Sequence, residues 1–426
     1  MGMDWICEAA TLRGSVEIPG SKSHTIRAVA IASLAEGESV IRQPLDSQDA
    51  RSAVAAYRAL GAAIETGADA WHVKGFAGKP RVPDDVIDVG NSGTTLNIVM
   101  GTCALIEEGA AVLTGDAQIR RRPSGPLAAS LNDLGASVRS TRNNGCPPFV
   151  VAGPWRGGDT AIEAVSSQYL TSLLLNAPLA QGETRIDVAL LHEKPYVEMT
   201  LDWLRHEGIV WHAKGFAAFT VPGGQRYRAF DRRIPGDFSS ATFFLAAGAL
   251  PGNDVSCAGL DMNDTQGDRA VVEYLRRMGA DIETGSETIR VRGNTLKGCD
   301  LDLNATPDAL PMMAVMGCFA EGETRLLNVP QARIKETDRI AVMGRELAKM
   351  GAHIEELPDG LIVHGGALRG AEVQGHGDHR VIMALAVAAS RATGVTRIHG
   401  ADAVAVTFPA FAASLSAIGG IVEFQT

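Results

Sequence analysis

Aromatic residues are scarce: 12 Phe, 5 Tyr and 5 Trp make up 5% of the 426 residues. So few stacking platforms argue against a binder of single-stranded nucleic acid. An excess of positive charge is also missing, because 39 Lys and Arg face 49 Asp and Glu, a formal net charge of -10. Nucleic acid and anionic membrane are repelled at long range, so any anionic ligand must be held by a local cationic cluster. The six cysteines, at 7, 103, 146, 257, 299 and 318, form no CxxC pair and no Cys/His ligand spacing. Free thiols in a reducing cytosol are the expectation. No apolar run reaches the roughly 18 residues that span a bilayer. The opening MGMDWI has neither the basic region nor the apolar one of a secretion signal. A soluble cytoplasmic protein is expected, with no nucleic-acid or membrane partner.

Glycine, by contrast, is plentiful at 47 residues, and six glycines keep one period. They stand at 61, 135, 208, 279, 351 and 419, in LGAAIE, LGASVR, EGIVWH, MGADIE, MGAHIE and IGGIVE, at spacings of 74, 73, 71, 72 and 68. Each follows an amphipathic run such as RSAVAAYRAL or IAVMGRELAKM, so each is predicted to end a helix. A second series interleaves with the first. Its helices are apolar nearly all round and are entered through SKSHT, NSGTT, SSQYL, DFSSA, PDALP and GDHRV. With His24, Gly93, Ser167, Phe238, Asp308 and His379 as markers, the spacings are 69, 74, 71, 70 and 71. Six copies of a helix–strand–helix–strand unit therefore account for the chain. A helix apolar on every side belongs inside a domain, so three copies each in two closed domains are expected. RRIPGD, at 232 to 237, is the best boundary, and the strand near 4 to 18 is expected to pair back with the last copy.

The second series carries most of the chemistry. A helix N-terminus offers free N–H donors and a positive dipole end to an anion. Capping by Ser, Thr, Asp or Asn explains any single entrance, but capping needs no lysine or arginine. Four segments add charge: Lys22, Ser23 and Arg27; Arg120, Arg121 and Arg122; Lys335, Glu336 and Arg339; and Asp378 with Arg380. His376 and His379 suggest a metal only weakly, since no third ligand accompanies them. GSKS fails as a P-loop because Ser21 separates Gly20 from Lys22. Asp308, opening a buried helix, is a candidate general base, and Glu336 a candidate general acid.

PGSKSHTIRA, VGNSGTT, RRRPSGPL, SSQYLTSLLLNAP, KPYVEMT, PGDFSSATFFLAAGAL, KETDRI and GDHRVIMALA follow one another in order. Through them nearly the whole chain resembles the enolpyruvyl transferases, and among these the branch acting on shikimate 3-phosphate. The resemblance implies an α/β (α+β) fold, a two-domain inverse α/β barrel of six βαβαββ repeats, three per domain. Residues 21–234 would form the first domain and 1–20 plus 235–426 the second, with a hinge near 20 and 235. It implies transfer of the carboxyvinyl group of phosphoenolpyruvate to the 5-hydroxyl of shikimate 3-phosphate, with phosphate released. The path is addition followed by elimination, with no metal or organic cofactor, in a monomer. Carried over residue by residue, Asp308, Glu336 and Lys22 would be catalytic. Phosphoenolpyruvate would meet Lys22, Gly93, Arg122, Gln168, Arg339 and Arg380. Shikimate 3-phosphate would meet Lys22, Ser23, Arg27, Ser166, Ser167, Gln168, Tyr196, Asp308, Gln331 and Lys335.

Four positions depart from the common pattern. Val406 stands where many members have a lysine, Asn97 where an arginine is usual, Glu193 where many have a serine that touches phosphate, and Gln331 where asparagine is common. A carboxylate at 193 beside a phosphate would be repelled, so either Glu193 turns away or the acceptor differs. Three alternatives follow: another hydroxylated acceptor, a non-catalytic homologue, or the sister branch acting on UDP-N-acetylglucosamine. The last carries a cysteine where this chain has Ala117.

Overall fold

The structure, a computed structural model, describes residues 2–425. Two helices per repeat run through it: α1 (Lys22–Leu34) and α2 (Gln48–Ala59), α3 (Gly93–Cys103) and α4 (Gly125–Asp133), α5 (Ser167–Asn176) and α6 (Lys194–His206). The second half continues with α7 (Phe238–Ala249) and α8 (Ala270–Arg277), α9 (Leu310–Cys318) and α10 (Arg339–Lys349), α11 (His379–Ala389) and α12 (Phe411–Ala417). Odd and even helices differ as their sequences do. Every residue of α3, α7, α9 and α11 is buried, and α1 and α5 are partly open only at Lys22, Ser23 and Gln168, in their first turns. The even helices bury one face and present the other to solvent. Each even helix gives way to one of the six periodic glycines, and all six have positive φ, between 68° and 115°. That left-handed step lets the chain leave the helix and enter a hairpin, and glycine takes it without a Cβ clash.

Among the described residues, six four-stranded sheets share one order. In the first, Asp231–Arg233 runs parallel to Glu38–Arg42, which pairs antiparallel with Ala70–Lys74, itself paired with Ala63–Thr66. Alternation places Trp71 and Val73 inside and His72 and Lys74 outside, as the period of two requires for a sheet with one covered face. The other five repeat this plan of one parallel and two antiparallel pairs.

The chain divides into two compact units, residues 22–234 and residues 1–21 with 235–426. Each has its own hydrophobic core around three buried helices. The first 21 residues belong to the second unit and serve two of its sheets. Asp4–Glu8 lies between Thr396–His399 and Ile421–Gln425 of the last copy, as expected, whereas Arg13–Glu17 runs parallel to Asp254–Ala258 of the fourth. Where the chain leaves and re-enters this unit, Ser21 N–H donates to the Pro235 carbonyl at 2.8 Å and Asp237 N–H to that of Pro19 at 2.9 Å. Among the described residues no helix is long and apolar enough to cross a membrane.

Candidate active site

In the unit of residues 22–234, the polar groups gather at the entrances of α1, α3 and α5. Lys22, the first residue of α1, holds Asp49 in the first turn of α2 at 3.0 Å. One turn on, Arg27 is buried, and its guanidinium donates to Thr200 Oγ1 (3.0 Å), the Ser23 carbonyl (3.0 Å), Thr171 Oγ1 (3.2 Å) and the Tyr196 carbonyl (2.9 Å). All four acceptors are neutral. Burial pulls its pKa down to about 10, which still leaves a full charge at neutral pH. A buried cation among neutral oxygens raises the potential of its surroundings, since little water screens it.

At α3, Ser92 caps the helix by accepting from Thr95 N–H, and Gly93 follows. A Cβ at Gly93 would lie 2.7 to 2.8 Å from the guanidinium atoms of Arg122, so the lack of a side chain lets that cation rest on the helix entrance. Arg120 and Arg121 are exposed, and of the three successive arginines only Arg122 turns inwards. Asn97 Nδ2 donates to the Gly93 carbonyl and to Gln168 Oε1, both at 2.9 Å, while Gln168 Nε2 donates to Thr94 Oγ1 at 3.2 Å. The α3 and α5 entrances are thus tied into one polar surface. Ser166 caps α5 by accepting from Gln168 N–H. Ser167 directs both its N–H (3.2 Å) and its hydroxyl (2.7 Å) to Glu193 Oε2.

The second unit collects acids around one arginine. Arg339 at the start of α10 is 1% exposed. Its Nη1 meets Asp308 at 2.7 Å, its Nη2 meets Glu336 at 2.7 Å, and its Nε meets Asp378 at 2.8 Å. Burial alone would lower its pKa, but the three carboxylates more than offset this and hold it above the ordinary value. Arg380, at the entrance of α11, takes the other oxygen of Asp308 at 3.0 Å. Asp378 also caps α11, accepting from Arg380 N–H at 2.9 Å, and takes the Thr337 hydroxyl at 3.1 Å. Two carboxyl groups separated by 28 residues in sequence are therefore each fixed through one oxygen on one planar cation, while Asp378 takes its Nε and Nη2 as a bidentate pair that gives direction as well as energy. Lys335 and Glu336 are half-buried beside this cluster, and Gln331 donates to the Asn304 carbonyl at 2.8 Å.

Sequence reasoning located most of these residues but missed some partners. Asp49 on Lys22, Thr171 and Thr200 on Arg27, and the grip of Asp378 on Arg339 join residues 27 to 173 positions apart, and no local pattern signals such contacts. His376 meets buried Glu346 at 2.9 Å. The His/Cys/Asp/Glu group whose ligand atoms converge among the described residues is instead His353, Glu355 and His364, on one outer strand pair. Val406 is buried in the turn Ala401–Val406 and brings no charge there.

Comparison with known proteins completes the picture. The family model for EPSP synthase (3-phosphoshikimate 1-carboxyvinyltransferase) matches residues 6–415. A 3-phosphoshikimate 1-carboxyvinyltransferase of Acetivibrio thermocellus is 55% identical over 410 residues, covering 96% of this chain and 97% of the relative. One of Ruminiclostridium cellulolyticum is 49% identical over 98% of each chain. Among solved structures, an EPSP synthase of Acinetobacter baumannii superposes with a TM-score of 0.84 at 28% identity, over the whole of both chains.

Proposed function

The chain belongs to the EPSP synthase family of 3-phosphoshikimate 1-carboxyvinyltransferases, and from that premise we propose how its residues divide the reaction. The enzyme transfers the carboxyvinyl group of phosphoenolpyruvate to shikimate 3-phosphate, a step of aromatic biosynthesis. Asp308 takes the proton of the acceptor's 5-hydroxyl as its oxygen bonds to C2 of phosphoenolpyruvate. Glu336 delivers a proton to C3, which becomes a methyl group, giving a tetrahedral adduct that carries both the ether and the phosphate. Glu336, left as a carboxylate, then takes a proton from C3, which restores the double bond as the C2–O bond to phosphate breaks and phosphate departs. Lys22 assists these transfers and offsets the charge on the leaving group.

The two substrates bring two phosphates and two carboxylates. Arg122 on Gly93, Gln168, Lys22, Arg339 and Arg380 are assigned to phosphoenolpyruvate. Ser23, Arg27, Ser166, Ser167, Gln168, Tyr196, Gln331 and Lys335, with Lys22 and Asp308, are assigned to the acceptor. The observation that carries the proposal is the Arg339 clamp, which holds Asp308 and Glu336 on one guanidinium at 2.7 Å each. An acid and a base needed at adjacent atoms of one reacting pair are thereby oriented before substrate arrives. The chain is taken to act as a cytoplasmic monomer without metal or organic cofactor.

Incubating the purified protein with phosphoenolpyruvate and shikimate 3-phosphate is expected to release phosphate. Asp308→Ala and Lys22→Ala each lose more than about a hundredfold in kcat/KM, in the range that removal of an acid–base group costs, while circular dichroism stays native. A blank assay sinks the activity, and near-normal turnover in either variant removes that residue from its role.

A further inference from the structure

The carboxylate of Glu193 occupies the Ser167 donors, which the assignment above gives to the acceptor and which, at a helix entrance, suit its phosphate. It accepts both the N–H and the hydroxyl of Ser167 through one oxygen, at 3.2 and 2.7 Å, and the residue is 2% exposed. Its backbone is left-handed, φ 57° and ψ 42°, and although it stands at the N-cap of α6 its side chain makes no capping bond there. Few residues other than glycine adopt that conformation. Here it presents the carboxylate to α5, where two donors and the positive end of a helix dipole favour an anion.

We propose that Glu193 is a resident anion that the acceptor's phosphate must displace, and that it sets affinity for phosphate-bearing ligands at this site. The inference rests on the assignment of the acceptor to Ser166, Ser167 and Gln168. Two anions cannot share the Ser167 donors, because like charges within about 4 Å repel strongly where water is excluded. Phosphate therefore binds only to the fraction of molecules whose Glu193 has swung aside, and every apparent dissociation constant rises by the inverse of that fraction. Inorganic phosphate, the product of each turnover, has no ring or carboxylate to compensate, so its affinity for this site falls by that factor. Shikimate 3-phosphate also has a ring and a carboxylate to bind, and so still displaces Glu193. Shikimate itself carries no phosphate and does not compete with the carboxylate.

Steady-state kinetics on the full chain test this, with Glu193→Gln and Glu193→Ser so that either suffices if the other folds poorly. The KM for shikimate 3-phosphate and the inhibition constant of inorganic phosphate against it are expected to fall together by about fivefold or more. The KM for phosphoenolpyruvate and the binding of shikimate should move by less than about twofold, a split that loosened packing would not produce. If the acceptor KM and the phosphate inhibition constant stay level or rise, or if only one of them falls, the proposal is overturned. Ser167→Ala separates the two layers. It should raise the acceptor KM; if it does so while the Glu193 variants change nothing, the assignment stands and the inference fails. If it leaves that KM unchanged, the docking assignment itself falls and the inference falls with it.

Discussion

Arg27 faces an unusual demand, since a single buried guanidinium serves two threonine hydroxyls and two carbonyls on three different helices. Lysine has three donors on a point charge and cannot span that set. Arg27→Lys is therefore expected to forfeit at least one of these four buried hydrogen bonds, at about 1.5–3 kcal/mol for a bond to a charged group. Urea titration should show that loss, and the acceptor KM should rise by about tenfold or more as the cation shifts. The charge was legible from its place in PGSKSHTIRA, where it shares a helix face with Ser23. Its partners were not, because Thr171 and Thr200 lie 144 and 173 residues away. The same holds for Glu193: it could be seen to depart from the family pattern, yet its hold on Ser167 emerges only once α5 and α6 are packed.

Among the elements, α10 links the acid cluster to the segment that precedes α11. Glu346, fully buried on α10, takes Lys349 at 2.6 Å, His376 at 2.9 Å and the Gln374 N–H at 3.0 Å, with Arg345 at 3.4 Å. Burial would raise its pKa, but the hydrogen bonds more than reverse this and hold it down to about 2. A carboxyl lowered on folding stabilises the protein fully above its unfolded pKa, near the ordinary glutamate value of 4.5, and that contribution fades as pH falls towards about 2. Glu346→Gln is expected to lower stability by about 3 kcal/mol at pH 7. Denaturant melts of variant and native protein should converge between pH 4.5 and pH 2; a gap that stays constant would show that the charge is not what matters. The alternation of buried and amphipathic helices, and the glycines that end the latter, were written in the sequence because both arise from local periodicity. Glu346 carried no such mark, since an acid on an amphipathic helix reads as a solvent-facing residue.

At the scale of the molecule, six sheets with one strand order form two units of unlike continuity. Residues 22–234 are a single stretch whose last strand, Asp231–Arg233, returns to its first, Glu38–Arg42. That stretch expressed alone is expected to unfold in one cooperative transition with native-like circular dichroism, since its core and all three of its sheets are self-contained. A fragment without such a transition would show that it depends on the remainder. The period near 70 residues revealed this architecture because it counts whole repeats. The crossing of residues 1–21 into the far half was only partly foreseen, as a short strand says nothing of which distant edge it will fill.

That crossing also sets an order of events during synthesis. Asp4–Glu8, with Trp5 and Cys7 on its inward face, leaves the ribosome long before the strands it pairs with. Its neighbours Thr396–His399 and Ile421–Gln425 follow about 390 to 420 residues later. At 5–20 residues per second the wait is roughly 20 to 80 s, during which the middle of the chain can finish folding. The opening strand spends that interval as an unpaired edge with apolar side chains, the kind of surface that chaperones bind and that neighbouring nascent chains can capture.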